Sequence, residues 1–150
     1  MPKNQFQEKE LFGLHTVLGK AGARLITLSP SGQEALGRNK TRYTPDGMMV
    51  DWDKQPGIME KYHAVLVVGG KGAPKSLWND PILPQILTDH YRAERVVGAI
   101  GLGVGVLARA ALLFGETAGP EDDRLGKELD AAGVDRLEEP VLAQGNIITG

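Results

Sequence analysis

Two uninterrupted apolar runs, Ala64-Val65-Leu66-Val67-Val68 and Val96-Val97-Gly98-Ala99-Ile100, constrain the fold of this chain more than any other feature. A half-solvated strand alternates apolar and polar residues, whereas an unbroken run reads as a strand covered on both faces, as in a parallel sheet. Each run stops at glycines, Gly69-Gly70-Lys71-Gly72 in one case and Gly101-Leu102-Gly103-Val104-Gly105 in the other. Helix patterns follow, and the order strand, glycine turn, helix is that of an α/β domain.

The remaining elements agree with that class. Leu11, Leu14, Leu18 and Ala21 recur at helical spacing between Glu8 and Ala21, with Gly22 placed for a left-handed cap. Arg24-Leu25-Ile26-Thr27-Leu28 fits a strand that Ser29-Pro30-Ser31-Gly32 ends. From Gln33 to Tyr62 the pattern predicts an irregular connection, with a turn at Thr44-Pro45-Asp46-Gly47, a short strand at Met48-Met49-Val50 and Trp52 at a core edge. Asp80-Pro81 starts a helix whose buried stripe is Ile82, Leu83, Ile86 and Leu87. Leu107, Ala111 and Leu112 mark the helix after the second glycine turn. Glu121-Asp122-Asp123 and Gly133 bound another, and Val141-Leu142-Ala143 with Ile147-Ile148-Thr149 suggests a closing hairpin.

At 150 residues the chain supports one core, so a single domain over 1–150 is expected. Its 17 basic and 19 acidic residues include no like-charge run longer than Glu121-Asp122-Asp123, which leaves no footprint for a phosphate backbone, and nucleic acid is not expected as a partner. No stretch approaches the roughly 18 apolar residues of a membrane span, and the first residues lack the apolar core of a secretion signal, so a cytoplasmic protein without membrane attachment is expected. The chain has no cysteine, which excludes disulfides, zinc-thiolate sites and a thiol nucleophile. His15, His63 and His90 lack metal-ligand spacing, and no metal is expected. Gly103-Val104-Gly105-Val106-Leu107-Ala108 matches the G-x-G-x-x-A dinucleotide fingerprint, but it comes late in the chain, and close helix–sheet packing explains the same small residues. No cofactor is expected; a nucleotide-binding module is the third reading of the chain.

From Tyr62 to Gly150 the chain resembles the ThiJ/PfpI superfamily, the proteases, glyoxalase-like enzymes and chaperones related to class I glutamine amidotransferases. Tyr62-His63-Ala64-Val65-Leu66-Val67-Val68-Gly69-Gly70-Lys71-Gly72-Ala73 resembles the strand and glycine loop that supplies the oxyanion hole, and Asn79-Asp80-Pro81 the start of the next helix. Val97-Gly98-Ala99-Ile100 resembles the strand into the nucleophile elbow, Ala110-Ala111-Leu112-Leu113 the helix behind it, and Glu139-Pro140-Val141 with Gly145-Asn146-Ile147-Ile148-Thr149 the final hairpin. The resemblance implies a doubly wound, mostly parallel, flavodoxin-like sheet with helices on both faces. It also implies a domain shortened at both termini, because the family begins with a central apolar strand and finishes with a helix after the hairpin.

The departures from the family decide the functional expectation. Where the family elbow reads alanine, isoleucine, cysteine, histidine, glycine, this chain has Ala99-Ile100-Gly101-Leu102-Gly103. The family glutamate early in the first helix falls on Gln7, with Glu8 one residue away, so the family-equivalent positions are Gln7, Gly69, Gly70, Gly101 and Leu102. An elbow nucleophile sits in a strained backbone, and glycine relieves that strain while supplying no nucleophile. No catalytic residue is therefore expected. The leading expectation is a non-catalytic protein acting by self-association, as a dimer or larger assembly, or by binding a partner or small ligand. Amides of Gly70, Lys71, Gly101 and Leu102 could hold a small carboxylate or phosphate. The alternative is an enzyme of glyoxalase-like or hydrolase type with Glu8, Glu10 or His15 as base.

Overall fold

The computed structural model describes residues 1–150. In chain order its elements are α1 (Glu8–Lys20), β1 (Leu28–Ser29), β2 (Ala35–Leu36), β3 (Arg42–Tyr43), β4 (Gly47–Met48), β5 (Ala64–Val67), α2 (Ala73–Ser76), α3 (Leu83–Arg92), β6 (Val96–Ala99), α4 (Val104–Arg109), β7 (Glu116–Thr117), α5 (Asp123–Ala132), β8 (Asp135–Arg136), β9 (Leu142–Gln144) and β10 (Ile147–Thr149). The main sheet has the order β5-β6-β10-β9, and the pairs β1-β4, β2-β3 and β7-β8 stand apart from it. β5 and β10 both run parallel to β6, and β9 closes antiparallel onto β10. The parallel core and the helices on both faces make this a flavodoxin-like α/β domain.

Alternation along the strands sorts their side chains. Val67, Val97, Ala99 and Ile147 enter the main core together with Leu77, Leu83, Ile86 and Leu87, and with Leu107 of α4 and Leu125 and Leu129 of α5. Leu107 is fully buried, and removing a leucine side chain from water stabilises by about 1.5–3 kcal/mol. On the opposite face, a Cβ at Gly98 would press on the Leu66 side chain and on the Ile148 carbonyl, so a larger residue there would have to displace both. Trp52 closes one core edge, as its sequence position suggests, and its ring lies 5.2 Å from that of His90. The His90 ring is buried and neutral in character, because desolvation lowers its pKa against the pull of the Ile86 carbonyl. The Tyr62 amide can only donate and the Ile86 carbonyl only accept, so Nε2 is the acceptor (3.1 Å) and Nδ1 carries the proton (2.7 Å).

Several local expectations shift. Of Arg24–Leu28 only Leu28 joins a strand, since residues 24–27 have no ladder partner along their length. The connection from Gln33 to Tyr62 contains an unforeseen hairpin, β2-β3, and the expected strand at Met48–Val50 ends at Met48, where a 3-10 helix begins. Asp80 does cap, its Oδ1 accepting from the amides of Ile82 and Leu83, but the regular helix starts only at Leu83. α4 stops at Arg109, and Ala111 takes φ +57°, so Ala111 and Leu112 lie beyond the helix. β5 is not covered on both faces as its unbroken run suggests: it ends the sheet, Ala64 is exposed, and Val65 and Leu66 are half-buried.

Candidate functional site

The C-terminal ends of β5 and β6 meet where two glycine turns touch. After β6, Ile100 remains extended and Gly101 turns at φ +60°, a left-handed conformation that costs an L-residue roughly 1–2 kcal/mol. The turn is pinned to the end of β10: Gly101 N–H donates to Gly150 O (2.8 Å), and Gly150 N–H to Ala99 O (3.1 Å). A Cβ at Gly69 would lie 2.7 Å from Ile100 O and Leu102 N and 3.0 Å from Gly103 N, so backbone rests directly on backbone. Gly70, at φ +121°, packs on the Gln5 and Gln7 backbone, and Gln7 N–H donates to Gly69 O (3.2 Å). The structure thus brings together Gln7, Gly69, Gly70, Gly101 and Leu102. Lys71 stays exposed on the rim.

The carboxylate at this junction belongs to Glu10 and not to position 7. Glu10 Oε2 accepts from Gly69 N–H (2.7 Å), and a Cβ placed on Gly101 would fall on Glu10 Oε1. Gln7 is the extended N-cap of α1, with its backbone engaged by Gly69; one helical turn later, Glu10 is the side chain that reaches the loop. Burial pushes the Glu10 carboxyl above its usual range, opposed by the Gly69 amide.

The other two candidate bases are used elsewhere. Glu8 turns to the β2-β3 hairpin, where Oε1 accepts from the amides of Asn39 (2.7 Å) and Thr41 (3.5 Å), while buried Oε2 has no partner. Burial opposes its ionisation, but hydrogen bonds from its own amide, Asn39 and Thr41 outweigh that and hold the carboxyl below its usual range. The His15 ring shares Thr27 Oγ1 (3.0 Å) with Tyr43, away from the elbow. Of Glu8, Glu10 and His15, only Glu10 faces Gly101.

This geometry bears on each binding expectation. The Gly69 and Gly101 amides are engaged by Glu10 and Gly150, so the chain supplies an anion of its own at the junction. The glycines of the dinucleotide-like motif are set by packing: a Cβ at Gly103 would strike Val67 O, and one at Gly105 the Trp78 ring. No three His, Asp or Glu side chains gather as metal ligands, and no helix is long and apolar enough to cross a membrane.

The same architecture recurs in known proteins. An uncharacterised protein of Methanocaldococcus jannaschii is 32% identical over 150 residues, a match that spans 99% of this chain and 70% of that protein. The crystal structure of a ThiJ/PfpI domain protein from Brachyspira murdochii superimposes with a TM-score of 0.86 at 23% identity, covering 99% of this chain and 82% of that one. DJ-1 of Schizosaccharomyces pombe gives 0.80 at 18% identity, covering 98% and 78%. At these identities the two structures speak for the fold alone. The family model described as DJ-1/PfpI matches residues 1–150, and with glycine turns meeting at the sheet end as the resemblance requires, this chain belongs to the DJ-1/PfpI family.

Proposed function

We propose that this chain is a non-catalytic member of its family that acts by binding, either to a second copy of itself or to a partner or small ligand. One observation carries the reading: the elbow residue is Gly101, and the Glu10 carboxylate occupies the space where a side chain of that residue would begin. Nothing at the turn can attack a substrate, and the Gly69 amide already holds a carboxylate of the chain itself. Exposed Phe114, Val141 and Ile148 supply apolar surface for self-association in a cytoplasmic dimer or larger assembly. A small carboxylate or phosphate at Gly70, Lys71, Gly101 and Leu102 is the weaker form of the reading, since it must approach Glu10.

Peptidase, esterase and methylglyoxal assays on the purified chain test the proposal. The expected result is no turnover above buffer, with light scattering reporting a dimer or larger species at micromolar concentration. Gly101→Cys should gain alkylation by iodoacetamide. The competing reading is a hydrolase or glyoxalase-like enzyme with Glu10 as base, favoured by the raised pKa of that carboxyl beside the turn. Turnover that disappears in Glu10→Gln would establish that enzyme and end the non-catalytic reading.

A further inference from the structure

A cavity of about 540 Å³ opens at the end of the sheet opposite the elbow, between the connection that precedes β5 and the turn that leads from α3 into β6. Its size is that of a small-molecule site, about 300–1,000 Å³. The walls are held in place by the fold. The Trp52 carbonyl accepts from Tyr62 Oη (2.6 Å), and the half-buried indole of Trp52 stands 5.2 Å from the His90 ring and 6.2 Å from that of Tyr62. Arg95 N–H donates to His90 O (2.9 Å), and the Arg95 carbonyl accepts from Asn146 Nδ2 (2.7 Å), which fixes its backbone on both sides. Lys61 lines the same cavity, but its Nζ lies 2.8 Å from Asp89 Oδ2 and is neutralised there.

The remaining charges form an open pair. The Arg95 side chain is 31% exposed, and the acid beside it, Glu60, holds Oε2 at 3.8 Å, beyond hydrogen-bond reach. Exposed Asp53 adds a second acid to the wall. A planar guanidinium with donors to spare matches a carboxylate. A ligand that carried only a carboxylate would meet Glu60 and Asp53, however, and a bare amine would meet Arg95. A head group with a carboxylate and an ammonium side by side satisfies both signs at once. The apolar part of the wall comes from Trp52 and from Met59, which is 93% exposed. An indole and a thioether together suit an aromatic ring, which stacks on the one and gains a sulfur contact from the other.

We propose that this cavity binds a free aromatic α-amino acid, with its carboxylate on Arg95, its ammonium toward Glu60 and Asp53, and its ring against Trp52 and Met59. The site goes beyond the reading of the elbow and does not depend on it, since Arg95 precedes β6 and Gly101 follows it.

The test titrates the full chain with L-phenylalanine, followed by calorimetry and by tryptophan fluorescence. Binding should saturate, whereas phenylpropanoate, which lacks the ammonium, and phenylethylamine, which lacks the carboxylate, should each bind at least about 10-fold more weakly. Arg95→Gln should weaken L-phenylalanine about 10-fold and leave phenylethylamine unchanged. Glu60→Gln, at an exposed position that the fold does not need, should weaken L-phenylalanine and leave phenylpropanoate no weaker. No saturable signal with L-phenylalanine up to about 10 mM overturns the proposal. Equal affinity for the three compounds, or an unchanged ranking in either variant, overturns it as well. A flat titration removes this site and leaves the non-catalytic reading of Gly101 in place, whereas turnover lost in Glu10→Gln removes that reading and not this site.

Discussion

The segment before Tyr62 and the segment after it are held together by different physics. After Tyr62, strands β5, β6 and β10 and the helices α2 to α5 share one core of 21 buried residues whose only earlier member is Met49, and apolar burial does most of the stabilising. Before Tyr62 the separate apolar cluster has four buried residues, Met1, Phe6, Leu11 and Ala35, joined by Val68 from beyond it, too few to fix a sheet. Polar side chains bonded to backbone do that work instead: Glu8 to the hairpin amides, Asp46 to Thr27 N–H (2.7 Å), Asn4 Oδ1 to Leu36 N–H (3.0 Å) and Ser29 Oγ to Gly32 N–H (2.8 Å). An apolar core tolerates change of pH, whereas a lobe held by carboxylates does not.

The contrast can be tested by substitution, starting with the largest expected effect. Leu107→Ala should lower global stability by about 2–5 kcal/mol, read from the denaturant midpoint, because the cavity lies in the shared core. A loss below about 1 kcal/mol would mean that the core beneath α4 relaxes freely, and the contrast with the N-terminal lobe would shrink. Gly101→Ala should cost about 1–3 kcal/mol, since the new Cβ is strained at φ +60° and meets Glu10. Combining it with Glu10→Ala should recover the clash but not the backbone strain. Asp46→Ala should cost about 1 kcal/mol by leaving the Thr27 amide without its acceptor, and exchange should quicken from Thr27 to Met48 while the β6 amides stay protected.

The two carboxylates of α1 give the smallest and most diagnostic effects. Glu8 has a depressed pKa, so it contributes stability above its usual value near 4.5, and that contribution is lost as pH falls through the depressed value. Glu10 has a raised pKa, so its ionisation works against the folded state as pH climbs from the usual value near 4.5 through the raised one. Glu8→Gln should therefore flatten the acid limb of the stability curve, and Glu10→Gln the rise in instability above it. Identical pH profiles for the two variants would show that hairpin and elbow do not differ electrostatically.

The elbow was legible in the sequence because its determinants are local. An apolar run ending in glycine fixes both a strand and the turn after it, and Gly69 and Gly101 are required where backbones touch at φ values or distances that exclude a Cβ. The placement of the carboxylate was not legible. Gln7, Glu8 and Glu10 occupy adjacent positions of one helix start, and only the packing of α1 between the hairpin and the glycine loop sends Glu8 one way and Glu10 the other.

By itself, the sequence determined the α/β class, the two glycine turns and the absence of a thiol, since each follows from residue type and short-range order. Tertiary structure alone decided which glutamate faces Gly101 and that β5 ends its sheet with one edge free. Both depend on contacts between segments far apart in the chain, such as Glu10 with Gly69 and Met1 with Leu28, whose formation reflects packing free energy that no local pattern encodes.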